Sequence, residues 1–517
     1  MPLTLNALLA DSAAAVAKGK TAWSHMSEYA RFHWLASSSE VEPARRGDYF
    51  YLRAGAADMM GMTDEAVVAL RELIHWAKES GDHATALIGA AHLSFHALNQ
   101  DGPTVYPLRP AADLLKELAA DFSVWRPDAD SPTIAESPAI NGENVARSDA
   151  IKLATAATTA FSTAINVDAK LAEHFAALVR RFGTASPSEA DRKLWFAQQH
   201  WFSGDKELAR TLALDVATDA GSALASRFDA NDMLGHFALL EDDDVKVATY
   251  WGQCVQLAEE MRASVVAMRH AELTARVYYS EGQAGRAWQL ASTTLKAIDG
   301  VPVGPIVLDL QEVVAQSALD TGLHREAWDT ARALIHWSEL TPHDARTSSA
   351  YAIATFAGLE LGLDEEVLDL HYRRSELLAE RGKHAEAAES LQSLAFLDVD
   401  AADAYMTKAW ELLGNIDGDE GKFARGEWHL TMAQLGRSPI DHAGAAAEEF
   451  RQVGHPMKEA YAWLISAATH ADQGELEAAR QDFAQANVAM PENHGRTDEL
   501  DDIFDEVRRR FGRGYND

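Results

Sequence analysis

The chain of 517 residues is well beyond the ~250 at which one compact core usually stops growing, so several domains or a repeat array are expected. At 47% hydrophobic and 24% charged residues it has the composition of a folded protein, which excludes bulk disorder, a collagen and a disulfide scaffold. Forty-six Lys and Arg against 79 Asp and Glu give a net charge of −33, a surface that repels phosphate backbones and anionic lipids and makes nucleic acid and membranes poor partners.

The N-terminal stretch MPLTLNALLADSAAAVAKGK has no cationic leader, and Asn6 and Asp11 interrupt its apolar run. A mature helix is expected there, not a signal peptide. No window of about 18 residues is free of strongly polar side chains, so no membrane span is expected. The lone cysteine, Cys254, permits neither an intramolecular disulfide nor a cysteine-built zinc site. A reducing, cytoplasmic address is the expectation.

From residue 45 onward one pattern recurs. A glycine is followed five residues later by Ala or Val at Gly61/Ala66, Gly204/Ala209, Gly282/Ala287, Gly322/Ala327, Gly362/Val367, Gly382/Ala387 and Gly474/Ala479. Gly282, Gly322 and Gly362 stand 40 residues apart, and Gly204 to Gly282 is 78, two steps of 39. The acidic run Glu241 to Asp244 lies near that midpoint, where a further copy is expected. Glycine adopts the left-handed conformation that ends a helix without a Cβ penalty, and acids such as Asp64, Glu65 and Glu207 then suit the positive end of the next helix. The small residue at +5 lets the second helix approach the first. In the copy after Gly322, Ala327, Ala331, Leu334 and Ile335 form one apolar stripe of period 3.6. The spacing predicts helical hairpins, with strand patterns nearly absent.

Residues 121–149 interrupt the pattern with Pro127, Pro132, Pro138 and several Asp and Ser, and are expected to be a loop or linker. The expected organisation is an N-terminal helical block over 1–120, the 121–149 linker, a repeat array over 150–496, and a capping helix and tail over 497–517. Ile503, Phe504, Val507 and Phe511 would be the buried face of that cap.

Residues 460–493 resemble a tetratricopeptide repeat in its 34-residue frame: Trp463, Ala467, Gly474, Ala479, Phe483, Ala486 and Pro491 occupy the signature places. Other copies keep the turn glycine, its +5 partner and a small residue seven before it, at Ala54, Ala197, Ala275 and Ala315. They resemble longer, degenerate repeats. Ala445 to Pro456 is also similar to the helical sensor arms of some bacterial regulators, without the NTPase P-loop those proteins carry. The resemblance implies an all-α solenoid, a tetratricopeptide-like right-handed α-α superhelix. It also implies that the first helix of each hairpin lines the concave face. Counting back from the turn glycines places Gln198, Trp201, Arg269, Arg276, Tyr279, Glu312, Gln316 and Tyr461 there as candidate partner-binding residues.

Other motifs read as ordinary helix chemistry. His92 and His96 have the i, i+4 spacing of a metal pair but complete no HExxH motif. Asn415 to Gly421 fails as a calcium loop, because Glu420 stands where glycine is needed. Arg508 to Arg510 end a helix that opens on acids, as its dipole favours. Glu241 to Asp244 are a solvated helix start. No GxSxG, GxGxxG or kinase motif is present, and no cofactor or metal is expected. The function expected is non-catalytic: a scaffold or adaptor holding a protein or peptide, preferably basic, in the concave groove. The alternatives are a ligand- or peptide-sensing arm and an enzyme with its site beneath the 121–149 loop.

Overall fold

A computed structural model describes residues 3–17, 22–99, 108–124, 139–140, 143–144, 147–183, 188–340, 346–414, 416–490 and 498–513. The helices are α1 (Leu5–Ala17), α2 (Trp23–Phe32), α3 (Arg46–Met59), α4 (Thr63–Ser80), α5 (His83–Leu98), α6 (Ala111–Val124), α7 (Arg147–Ala164), α8 (Ala169–Gly183), α9 (Glu189–Phe202), α10 (Lys206–Thr218), α11 (Leu224–Leu239), α12 (Asp244–Glu260), α13 (Ser264–Ser280), α14 (Ala284–Ala297), α15 (Pro305–Asp320) and α16 (His324–Leu340). They continue as α17 (Arg346–Glu360), α18 (Asp364–Glu380), α19 (His384–Leu397), α20 (Ala402–Leu413), α21 (Gly418–Gln434), α22 (Pro439–Gln452), α23 (Pro456–Asp472), α24 (Leu476–Ala489) and α25 (Asp498–Arg513). A two-residue antiparallel pair, Ala139–Ile140 with Glu143–Asn144, is the only sheet among the described residues. The segment expected as a loop over 121–149 thus begins within α6 and ends within α7; residues 125–138 lie outside the described residues, as do Asn415 and Pro491.

The seven turn glycines all take positive φ, between 68° and 93°. At Gly282 the geometry is that of a Schellman turn: its N–H donates to the Tyr279 carbonyl and the next N–H, of Gln283, to that of Tyr278. The +5 residues Ala66, Ala209, Ala287, Ala327, Ala387 and Ala479 are fully buried, and so are Ala197, Ala275 and Ala315 seven before the glycine. The copy expected near 241–244 is present as the α11–α12 hairpin. There Asp242 holds the left-handed position at φ 55°, and the Asp243 N–H donates to the Ala238 carbonyl. Asp tolerates this conformation better than most residues. The α12–α13 turn uses Arg262 at φ 56° in the same way. Successive helices pack pairwise, and alternate helices such as α9 with α11, or α13 with α15, also touch. The chain is therefore an all-α, tetratricopeptide-like stack of helical hairpins.

The contacts divide it into two compact units, Met1–Leu334 and Ile335–Asp517. In unit 1 each helix packs on its successor from α3 to α5, then through α7 to α13, and α13 packs back on α2 and α3. The stack closes on itself. Leu8, Leu9, Met26, Tyr29 and Leu52 of the N-terminal helices share one core with Trp251, Val265, Met268 and Leu310. Polar contacts fasten the closure: the buried Val265 N–H donates to Ser27 Oγ at 3.3 Å, and Arg31 Nε to the Asp299 carbonyl at 3.2 Å. Ala263, which precedes α13, supplies no side-chain cap, so Ser27 caps that helix from across the circuit.

In unit 2 the same hairpins run from α17 to α24, and α25 covers the end. Phe504 and Val507 are buried with Ala460, Leu464 and Ala486, and Ile503 packs on them. Phe504 meets Phe483 edge-on at 5.5 Å between ring centres. An apolar last hairpin cannot face water, which is why the acidic helix α25 presents one greasy side inward. Arg508 and Arg509 pair with Asp505 and Glu506, and Arg510 reaches Asp472 at 2.9 Å.

Candidate functional site

The circuit of helices in unit 1 surrounds a partly open cavity of about 1130 Å³. Its walls come from α2, α3, α5, α7, α9 and α11. From α3 onward these are alternate helices, since the even-numbered partners complete the hairpins on the outside. This is above the ~300–1,000 Å³ of ordinary small-molecule pockets.

Two chemistries line it. Trp23, Trp195, Trp201, Phe95, Phe202 and Phe237 provide an aromatic wall. Trp201 is almost fully buried and stacks on Phe237 at 3.7 Å with an interplanar angle of 3°. Lys206 and Arg210 lie over the same indole, 5.0 and 5.5 Å from its ring centre. Phe95 and Phe202 are 40% and 44% exposed, apolar surface still in contact with water.

The second chemistry is acidic: Asp191, Asp229 and Asp232 face the cavity, and no Lys or Arg is among its described lining residues. Asp191 accepts from Ser226 Oγ at 2.8 Å. Asp232 Oδ1 accepts from His270 Nε2 at 2.9 Å and lies 3.2 Å from His236 Nδ1. Burial alone would raise Asp232, but these imidazoles hold its carboxyl well below the usual carboxylate range. Burial lowers His236, and the Asp232 carboxylate outweighs it, leaving the imidazole above its ordinary value. Asp229 has no such partner. Burial, then the charges of Asp232 and Asp191, push its carboxyl well above the ordinary range. His92, on the α5 wall, is lowered by burial; His96, also on α5, lies 3.6 Å from Asp58 of α3. Among the described residues no three His, Cys, Asp or Glu side chains converge as a metal site.

The eight residues marked from the sequence fall in three places. Gln198 and Trp201 line the cavity, and Gln198 Nε2 donates to Ser162 Oγ at 2.6 Å across to α7. Arg276, Tyr279, Glu312 and Gln316 meet on α13 and α15. Arg276 is ion-paired with Glu272, with Glu312 at 3.2 Å and with Asp309 at 3.8 Å. Tyr279 donates to Asp320 Oδ2 at 2.6 Å, and Gln316 bonds to the same phenol. Burial and the Asp320 carboxylate push that phenol up to about 12. Arg269 is exposed on α13. Tyr461 belongs to unit 2, where its hydroxyl accepts from Gln434 Nε2 at 3.2 Å.

Asp191, Trp195, Asp229 and Asp232 were missed in the sequence. Asp191 and Trp195 sit about two turns and one turn before Gln198 on α9, and Asp229 and Asp232 about four and three turns before Asp242 on α11, so the inward count carried further back along both helices would have reached them. Cys254 is buried, its thiol pushed up by burial, and it takes no part in the cavity.

The fold and the site define a helical-hairpin protein with a large, partly open cavity. Structural comparison finds helical-hairpin proteins of the tetratricopeptide type. RapI in its apo form is 12% identical with a TM-score of 0.41, over 70% of this chain and 99% of that one. Yeast Tom70 is 12% identical with a TM-score of 0.33, over 98% and 96%. A signal transduction ATPase with a tetratricopeptide repeat sensor, from Pyrococcus horikoshii, is 11% identical with a TM-score of 0.33, over 83% and 72%. No family profile matches the chain, and no curated protein matches it. No helix among the described residues is long and apolar enough to cross a membrane.

Proposed function

We propose that the protein is a non-catalytic binding module that takes a peptide segment of a protein partner into the cavity of unit 1. The observation that supports this reading is the cavity itself, which is larger than an ordinary small-molecule pocket, walled by aromatic side chains and framed by helical hairpins. Phe95 and Phe202 offer apolar anchors that aromatic and aliphatic partner residues cover. Gln198 and Trp201 belong to this site. Arg269, Arg276, Tyr279, Glu312 and Gln316 on α13 and α15 are proposed as a further surface for the rest of the partner, whose basic residues the acidic chain steers inward, and Tyr461 of unit 2 as a separate contact.

The test is retention of capped hexapeptides from an unbiased mixture by the full-length chain, read by mass spectrometry. Ala225→Trp, which fills the cavity from α11, should abolish retention while the helical circular dichroism spectrum stays. Equal retention by both proteins would refute the cavity as the site.

The closure of unit 1 favours a second reading, a sensor. An occupant touching α2, α5, α7, α9 and α11 at once would tighten the α2–α13 closure, and slower hydrogen exchange at the Val265 amide on peptide binding would register it.

A further inference from the structure

The strongest unassigned feature of the cavity is its charge, and it deepens the peptide-binding reading on which it rests. We infer that the bound segment carries an arginine or lysine side chain, whose cationic head is set against Asp229 while its neighbours cover Phe95 and Phe202.

Three independent observations carry this. The first is the imbalance of the lining: three aspartate side chains face a space with no Lys or Arg among its described walls. In a chain with 46 basic residues the absence is local, since basic side chains neutralise acids elsewhere in the same unit, as Lys152 does Asp82 and Lys193 does Asp215. The second is the difference among the three acids. Asp191 accepts from Ser226 and Asp232 from two imidazoles, whereas Asp229 has no hydrogen bond or ion pair to any described residue. A carboxyl beside like charges and without a donor of its own holds its negative charge poorly, and a guanidinium or ammonium brought into the cavity supplies the donor and the opposite charge that favour it. The third is the aromatic surround. Trp23 and Trp195 stand with Asp229 around one space, and a cation beside indole rings gains from their electron-rich faces. A carboxylate or phosphate group would instead meet Asp229 and Asp191 head-on, so anionic ligands are disfavoured by the same residues.

Size agrees with the charge. The cavity of about 1130 Å³ takes more than one side chain, and the exposed rings of Phe95 and Phe202 leave room beside the acids for apolar residues flanking the cation.

The experiment uses the full-length chain and two degenerate hexapeptide mixtures, acetylated and amidated so that no terminus is charged. One carries arginine at a fixed position; the other carries citrulline, its neutral isostere. The arginine mixture should be retained and the citrulline mixture lost. A retained arginine peptide should bind Asp229→Asn about 30-fold or more weakly. It should bind Asp229→Glu more tightly than Asp229→Asn, and Glu281→Gln, an exposed acid outside the cavity, as tightly as the parent. If Asp229→Asn fails to fold, the citrulline comparison decides alone. Equal retention of the two mixtures overturns the cation inference and leaves peptide binding standing. Retention of neither overturns both.

Discussion

Two mid-helix glycines, on consecutive helices of unit 1, differ in what a methyl group would meet. A Cβ on Gly235 of α11 would lie 2.3 Å from Trp251 Nε1 and 2.5 Å from its Cδ1, whereas one on Gly252 of α12 would meet nothing within 4 Å. Trp251 is 2% exposed and packed in the largest core of the unit, so it has nowhere to move. Gly→Ala within a helix gains roughly 0.5–1 kcal/mol from backbone entropy and propensity. Forcing a methyl into a filled core costs about 1–3 kcal/mol. Gly252→Ala should therefore stabilise by about 0.5–1 kcal/mol, and Gly235→Ala should destabilise by a net ~1–2 kcal/mol. Native-state hydrogen exchange, read on peptides covering 224–260, isolates these helices from the rest of the chain. Protection in Gly235→Ala equal to or above the parent would show that α11 and α12 are not packed as described. The consequence for function is local, because Asp232 and His236 flank Gly235 and line the cavity.

The remaining predictions concern turns, caps and pH. Asp242→Gly should stabilise the α11–α12 turn by about 1 kcal/mol, since it relieves a left-handed non-glycine residue; a lower urea midpoint would contradict the turn. Ser27→Ala leaves the buried Val265 N–H without its acceptor and should cost roughly 1 kcal/mol, with faster exchange at that amide; an unchanged exchange rate would remove Ser27 as a cap. In unit 2, burial and the nearby Arg374 bring the His371 imidazole down to about 4 from an unfolded value near 6.5. The unfolded state then binds the extra proton between those values, so the stabilisation is complete above pH 6.5 and is lost as pH falls to 4, by roughly 3 kcal/mol. Urea midpoints of unit 2 should fall over that window, and His371→Gln should flatten the fall; an unaltered slope would refute the assignment. Burial and the facing His442 also bring His429 to about 4, so a part of the fall should survive in that variant.

The hairpins were legible because their turns are chemical. Glycine at C′ and alanine at +5 answer a local need, a left-handed residue and a close helix approach, and both show in the letters. The C-terminal cap was legible for the same reason: Ile503, Phe504 and Val507 repeat at helical spacing on an otherwise acidic segment. The turn at Arg262 was hidden because the same backbone geometry is held there by a residue that does not announce it, and the one at Asp242 was placed only by its distance from Gly204 and Gly282. The contents of the cavity were hidden differently. Asp191, Asp229 and Asp232 look like solvated helix acids one helix at a time, and only the packing of α9 against α11 turns them toward one space.

The closure itself had no local signal, and it changes what a helical-hairpin stack can do. An open stack offers a groove whose acids stay hydrated, and exposed ion pairs there are worth little. When α2 and α3 dock on α13, the same inward faces become walls of one partly open space, and low-dielectric walls strengthen the interaction of the charges they carry. There burial and the neighbouring charges of Asp232 and Asp191 push the Asp229 carboxyl well above the ordinary carboxylate range. The N-terminal helices thus do more than cover an apolar end. By contributing Trp23 and Met26 to the wall and Ser27 to the α13 cap, they join the closure of the unit to the chemistry of its interior. A change that loosens the α2–α13 contact should weaken cavity binding without touching any residue that meets the ligand. Ser27→Ala, which lies behind the wall, separates that coupling from direct contact: reduced peptide affinity with every lining residue intact would establish it, and parent affinity would confine Ser27 to stability alone.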